Sequence, residues 1–123
     1  MASRGRGARA KGANFERALA KQISGDLGIV AERGLAQTRG GGAEVADVEM
    51  DYFHVEAKRH KQVSIKRALT QAIEDCAKKN KLPVAITKDD RKPMLVTMEY
   101  KDWILMAKAY VKEQKPKRKR KKG

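Results

Sequence analysis

Apolar residues recur along the chain at spacings that predict three helices. Phe15, Leu19 and Ile23 lie four residues apart and predict a helix over 13–24. The clearest pattern predicts a helix over 64–80, whose inner side is formed by Ile65, Ala68, Leu69, Ala72, Ile73 and Cys76. A last helix is predicted over about 99–111. The residues that we expect it to turn inward are Tyr100, Trp103, Ile104, Ala107 and Val111.

Short apolar runs between these helices predict five strands. Residues 28–35 predict the first, and 45–58 predict two more, joined near Met50-Asp51. Strands at 83–88 and 94–98 follow, separated by a turn. In the third strand the apolar face consists of Phe53, Val55 and Ala57, and the other face of His54, Glu56 and Lys58. The order αβββαββα predicts one α/β domain, in which helices flank a mixed sheet of about five strands.

The charge of the chain is concentrated at its two ends. The 123 residues carry a formal net charge of +14, and 41% of them are apolar, enough for one modest core. Residues 1–12 hold four basic residues and 115–122 hold seven, with no acid in either stretch. We therefore predict flexible basic arms at 1–12 and 112–123 around a domain at 13–111. Nucleic acid is the natural partner, because neutralised phosphates release counterions; a solubility tail or an anchor for acidic lipids is the alternative.

Several classes of protein are disfavoured by the composition. No apolar run approaches the ~20 residues that span a bilayer, so we expect no membrane association. No apolar segment follows the basic N-terminal stretch, so a secretory signal peptide is not expected. The single cysteine, Cys76, excludes an internal disulfide framework and a Cys-rich zinc site. We expect Cys76 to be a core residue and the chain to be cytoplasmic.

Asp47, Glu56 and Lys58 are the candidates for chemistry. Glu56 and Lys58 are two apart in a strand and project from one face. Asp47 belongs to the preceding predicted strand. If that strand pairs with the strand that carries Glu56, the two carboxylates approach each other. Two carboxylates at one site repel unless a cation lies between them, and their oxygen atoms suit Mg²⁺ or Mn²⁺. The alternative is a solvated strand face with ordinary charges, and the rival acids Glu49 and Asp51 are interpreted as hairpin charges.

Four segments in order resemble the PD-(D/E)xK nuclease superfamily, and within it the archaeal-type Holliday junction resolvases. They are KGANFER at 11–17, ADVE at 46–49, VEAK at 55–58 and the helix containing Gln71. The resemblance covers roughly residues 11–106 and implies the nuclease core fold. Ala46 stands where the motif has Pro. The loop before Asp47 lacks the serine of related resolvases, for which Thr38 is a possible substitute.

The resemblance implies a role for each matching residue. Asp47 and Glu56 are the metal-binding acids, and Lys58 is the catalytic lysine. Glu16 is the first-helix acid that completes the metal site, although without the resemblance it is an ordinary exposed helix charge. Gln71 is a helix glutamine that assists the site, or else a surface residue. The backbone carbonyl of Ala57 is a further metal ligand.

The resulting hypothesis is a Mg²⁺-dependent endonuclease, with Mn²⁺ able to substitute, that resolves four-way DNA junctions by paired nicks in opposed strands. The resemblance implies a homodimer, and the apolar residues of the last helix and of 94–98 are candidates for its interface. We interpret Trp103 as core or interface rather than as a platform for bases. The expected phosphate-binding residues are Arg4, Arg6, Arg9, Lys11, Arg39, Arg59, Lys61, Lys66 and Arg67.

Two other functions remain open at this point. One is a non-catalytic DNA-binding or architectural protein with a nuclease-like fold, and the other is a nuclease that cuts duplex DNA in repair or restriction. The absence of an added target-recognition domain and the few aromatic residues favour recognition of DNA structure. The glycines of 40–42 belong to a loop that moves when DNA binds, or serve only a turn. A phage source is expected, which would place the protein in the host cytoplasm.

Overall fold

The fold is taken from a computed structural model that describes residues 2–34, 46–60 and 63–122, with side chains described for 11–34, 46–60 and 63–115. Its helices and strands follow the order α1 β1 β2 β3 α2 β4 β5 α3, as predicted. Their bounds are α1 Ala2–Leu27, β1 Ala31–Arg33, β2 Val48–Met50, β3 Phe53–His60, α2 Ile65–Asp75, β4 Leu82–Asp89, β5 Leu95–Thr97 and α3 Tyr100–Lys122. The predicted fold class, a small α/β domain with a five-stranded mixed sheet, is confirmed.

The five strands lie in the sheet in their order along the chain. Strands β3 and β4 are parallel, and every other neighbouring pair is antiparallel. A parallel pair needs a crossover, which α2 supplies. The β2–β3 connection is a tight hairpin of two residues, Asp51 and Tyr52, and Tyr52 adopts a left-handed conformation with φ of 72°. This short hairpin places the start of β2 beside the middle of β3.

Helix α1 packs on one face of the sheet and forms the main core. Leu19 and Ala20 are buried against Val48, Val55 and Ile86. Phe15 and Ile23 are partly buried against the same cluster, so the predicted stripe of α1 is confirmed. The other face of the sheet is covered by α2.

Helix α2 turns its predicted apolar side toward the sheet. Ala68 and Ala72 are buried, and Cys76, just after the helix, is a buried free thiol as expected. Ser64 caps the start of the helix, where its hydroxyl accepts a hydrogen bond of 3.4 Å from the backbone N–H of Arg67. This cap satisfies a donor that the first helical turn leaves unpaired.

The terminal helices differ from their predictions. Helix α1 begins at Ala2 rather than 13, and α3 continues to Lys122 rather than 111. The predicted inward orientation is wrong for Tyr100, Trp103 and Val111, which are exposed by 72%, 49% and 46%, whereas Ile104 and Ala107 are partly buried. An apolar stripe shows that one side of a helix avoids water, but it does not show what covers that side. Whether the arms at 1–12 and 112–123 are flexible stays a prediction.

No helix in the described part of the chain is long and apolar enough to cross a bilayer.

Candidate active site

The β2–β3 hairpin brings Asp47 and Glu56 together. The backbone N–H of Asp47 donates to the Val55 carbonyl at 2.9 Å, which fixes Asp47 beside β3. One oxygen of its carboxylate accepts a hydrogen bond of 2.9 Å from the N–H of Ala57. The carboxyl groups of Asp47 and Glu56 are close enough that each affects the pKa of the other. The approach that the sequence predicted is therefore present, with Asp47 one residue before β2.

Glu56 and Lys58 project from the same face of β3. The Nζ atom of Lys58 lies 3.2 Å from Oε2 of Glu56. Their surroundings differ, because the Glu56 side chain is 3% exposed whereas that of Lys58 is 33% exposed. The ion pair therefore joins a buried carboxylate, that of Glu56, to an ammonium group at the protein surface, that of Lys58.

Burial disfavours the charged forms of both acids. The pKa of Glu56 is raised to about 7, mainly by burial and next by the nearby Asp47 carboxylate, while Lys58 lowers it. The pKa of Asp47 is also raised, mainly by burial, despite the hydrogen bond from Ala57. A single lysine thus leaves negative charge incompletely compensated in a low-dielectric site. A set of carboxylate oxygens in this condition fits a hard divalent cation.

Glu16 reaches the same site from α1. Its Oε1 accepts a hydrogen bond of 2.9 Å from Nε of Arg33, and its side chain is 18% exposed. Burial raises the pKa of Glu16, Asp47 raises it further, and Arg33 and Lys58 lower it. These influences place Glu16 within electrostatic range of the Asp47 and Lys58 charges. The structure therefore brings together four of the predicted residues, and their individual roles stay predictions.

Arg33 is a contact that the sequence did not predict. It ends the three-residue strand β1 and lies 17 positions after Glu16. No motif or periodicity links the two positions, so only the packing of α1 beside β1 reveals the pair. Arg33 holds the Glu16 carboxylate in place and partly neutralises it.

A polar groove leads to Lys58 from α2. Its volume is about 350 Å³, and its lining residues are Lys58, His60, Val63, Ser64, Arg67, Ala68 and Gln71. Gln71 is exposed and shares this groove with Lys58, and its assisting role stays a prediction. The cationic side chains of Lys58 and Arg67 give the groove a charge that suits a phosphate backbone.

A second group of ligand-type atoms lies beside Glu56. His54, Glu56 and Asp75 each offer one such atom, all within 4.8 Å of one another. His54 is fully buried, which lowers its pKa, and Nζ of Lys79 lies 3.1 Å from its Nδ1. An ammonium can only donate, so the neutral ring keeps its proton on Nε2 and is not free to bind a metal there. This group therefore fits a metal less well than the carboxylate site does.

Asp75 is a second neighbour of the site that the sequence did not predict. It ends α2, 19 residues after Glu56, and no local pattern connects the two. The crossover helix returns Asp75 to the polar face of β3, which only the folded chain shows.

The predicted phosphate-binding residues are placed differently from one another. Lys66 and Arg67 are exposed on α2. Lys11 and Arg59 both pair with Asp90, at 3.2 and 3.5 Å, and the hydrogen bond from Lys11 is the main reason that the pKa of Asp90 is lowered. The other predicted positions lie outside the residues or side chains that the structure describes: Arg4, Arg6, Arg9, Thr38, Arg39, Gly40 to Gly42 and Lys61.

Comparison with known proteins gives one match. The model of a family described as "Phage putative PDDEXK endonuclease" matches residues 7–121. This span includes Glu16, Asp47, Glu56 and Lys58. No curated protein and no solved structure matches the chain.

Proposed function

The chain belongs to the family described as "Phage putative PDDEXK endonuclease", and from this premise we propose that it is a Mg²⁺-dependent, structure-specific DNA endonuclease that resolves four-way junctions. The family supports a nuclease, a hydrolase of phosphodiesters, and a phage source. The observation that carries the proposal is the buried pair of Asp47 and Glu56 with Lys58 at its solvent side.

The metal would be held by acids from three elements. Glu16, Asp47 and Glu56 supply carboxylates, and the backbone carbonyl of Ala57 supplies a further oxygen. Mg²⁺ suits these hard ligands, and Mn²⁺ substitutes for it. When bound, such a cation supplies Lewis-acid chemistry that activates water and neutralises charge on a phosphodiester.

The protein's own residues would position the substrate. Lys58 lies at the boundary between the buried carboxylate and the groove, where it binds a phosphate oxygen and stabilises charge that develops during hydrolysis. Gln71 and Arg67 line the same groove and would hold the backbone beside it. Because these contacts recognise phosphates, they read the shape of the DNA rather than its base sequence.

We propose that a homodimer presents two such sites to the opposed strands of a junction. A dimer axis suits a substrate with approximate two-fold symmetry. Strand β5 lies at the edge of the sheet, and Leu95 and Val96 are exposed there by 47% and 62%. An exposed apolar strand edge favours pairing with another chain. The proposed location is the cytoplasm of the phage host.

Cleavage of a labelled junction tests the proposed activity. A four-way junction and a linear duplex with the same arm sequences are incubated in Mg²⁺ and in EDTA with the wild type, Asp47→Asn and Asp51→Asn. We expect paired nicks in the junction only, and only with metal. Asp47→Asn should lose activity by about 100-fold or more while still binding the junction. Asp51 is an exposed acid of the hairpin, so Asp51→Asn is the matched control and should cut like the wild type.

The other outcomes identify the competing functions. Tight binding of the junction without cleavage in any metal indicates the architectural protein. Equal cutting of junction and duplex indicates a repair or restriction-like nuclease, and retains the metal site. Full activity of Asp47→Asn contradicts the proposed site.

A further inference from the structure

Helix α3 presents an apolar and aromatic face to solvent. Tyr100, Trp103 and Val111 share one side of the helix at its three- and four-residue spacing, and all three are exposed. Asp102 turns to the opposite side and is 3% exposed. The helix is therefore anchored by one side, and its aromatic side remains uncovered by the described part of the chain. The rings of Tyr100 and Trp103 lie 5.7 Å apart and are tilted by 45°.

Lysines border this face on the side of Val111. A groove of about 470 Å³ runs along it, and its lining residues are Trp103, Ile104, Ala107, Lys108, Val111, Lys112 and Lys115. Within the described residues, none of the three lysines forms an ion pair with an acid. The groove therefore combines flat apolar surface with positive charge along about three turns of helix.

We propose that this face of α3 binds single-stranded DNA, with Trp103 and Tyr100 stacked on unpaired bases and Lys108, Lys112 and Lys115 bound to phosphates. Every base has a flat π-face, and aromatic platforms beside a cationic track are the general means of binding single strands. The base faces of a duplex are covered by stacking, so a duplex can bind the lysines through its phosphates but cannot stack on the aromatic rings. Only a single strand can make both kinds of contact.

Charge complementarity favours this occupant over a second copy of the chain. Each copy brings three lysines and no acid among the described residues that line the groove, so packing two copies through this face would gather six positive charges at one interface. Like charges held together in this way destabilise an interface. A polyanion removes the repulsion and gains free energy from counterion release.

The inference goes beyond the proposed junction cleavage. It assigns the last helix a role in binding single-stranded DNA through a groove that shares no residue with the one beside Lys58. It concerns binding alone and needs no metal, so a chain without nuclease activity could still satisfy it.

Trp103 is the single tryptophan of the chain, so its fluorescence reports directly on this face. Wild-type protein is titrated in EDTA at low salt with a 20-nucleotide oligo(dT) and with a duplex of the same length. We expect the oligo(dT) to quench the emission at least twice as strongly as the duplex. In a matched anisotropy titration with labelled oligo(dT), Trp103→Ala should weaken binding about tenfold, whereas Trp103→Phe should stay within about threefold of the wild type because an aromatic ring remains.

Leu105→Ala is the control, because Leu105 is 54% exposed on α3 but is not one of the residues that line the groove, so its loss should leave binding unchanged. Equal quenching by duplex and single strand would overturn the proposal, as would an equal loss of binding in the Trp103→Ala and Leu105→Ala variants.

Sedimentation equilibrium of Trp103→Ala provides the third readout. A dimer that dissociates in this variant while oligo(dT) binding is retained would assign the face to self-association instead. All these measurements are made without metal, so failure of junction cleavage leaves them interpretable.

Discussion

The charged carboxylate of Glu56 is unfavourable for folding. The side chain is almost fully buried beside Asp47, and its pKa is raised to about 7. A raised carboxyl pKa means that the folded state disfavours the anion. Strongly perturbed groups of this kind concentrate at functional sites, where a ligand compensates the charge. A cation bound beside Glu56 would therefore offset the free energy that its buried charge costs the fold.

The raised pKa of Glu56 predicts how stability depends on pH without metal. Between about 4.5 and about 7 the folded state keeps a proton that the unfolded state has lost, so the free energy of unfolding falls as pH rises. The loss is complete above the folded pKa and is on the order of 3 kcal/mol. Urea unfolding in EDTA at several pH values should show this slope in the wild type and a much smaller one in Glu56→Gln. Parallel curves for the two proteins would contradict the assignment, and Mg²⁺ should restore wild-type stability at pH 7 to 8.

At the scale of elements, the β2–β3 hairpin and α2 position the site. The two-residue hairpin sets Asp47 against Ala57, and the start of α2 borders the groove beside Lys58. Ser64 caps that helix and also lines the groove, so the same residue stabilises the helix and shapes the groove. A helix whose first turn frays would loosen the Arg67 and Gln71 side of the groove.

Loss of the Ser64 cap should weaken the fold in a measurable way. Ser64→Ala leaves the N–H of Arg67 without its side-chain acceptor, and we expect a loss of about 1 kcal/mol in the free energy of unfolding. Thr70→Ala, on the exposed side of the same helix, is the control and should leave stability unchanged or slightly raised. Urea titrations of both variants make the comparison. Equal stabilities of the two variants would show that the cap contributes nothing.

At the scale of the whole molecule, positive charge and exposed apolar surface together determine its partners. The net charge of +14 opposes self-association in general, so a dimer needs a specific apolar contact. The exposed edge at β5 supplies one, whereas the α3 face carries lysines. This separation is the reason for proposing that the strand edge contacts a second copy and that the helix binds DNA.

Substitution at the β5 edge should separate dimer from monomer. Wild-type protein at micromolar concentration is expected to sediment at twice the 13.8 kDa mass of the chain. Val96→Glu places a buried charge in the proposed contact and should yield the monomer. Val30 is 73% exposed, next to the strand at the opposite edge, so Val30→Glu is the matched control and should remain a dimer. A monomeric wild type, or the same mass for both variants, would contradict the proposed interface.

The sequence by itself determined the elements, their order and the proximity of Asp47, Glu56 and Lys58 in the candidate site. Side chains alternate every two residues in strands and repeat every 3.6 in helices, so local spacing reveals which face each residue takes. Leu19 in α1 and Ala72 in α2 are buried as their spacing predicted. Asp47 and Glu56 could be linked in the same way, because a short hairpin joins the two strands and leaves little choice of register.

Only the tertiary structure decided the contacts between distant segments. Arg33 reaches Glu16 because α1 packs beside β1, and Asp75 reaches His54 and Glu56 because the crossover helix returns to the polar face of β3. Neither pair has a signature in local spacing. The exposed face of α3 was misjudged for a related reason: periodicity shows that Trp103 and Val111 share a side of the helix, but the rest of the fold determines whether anything packs against that side.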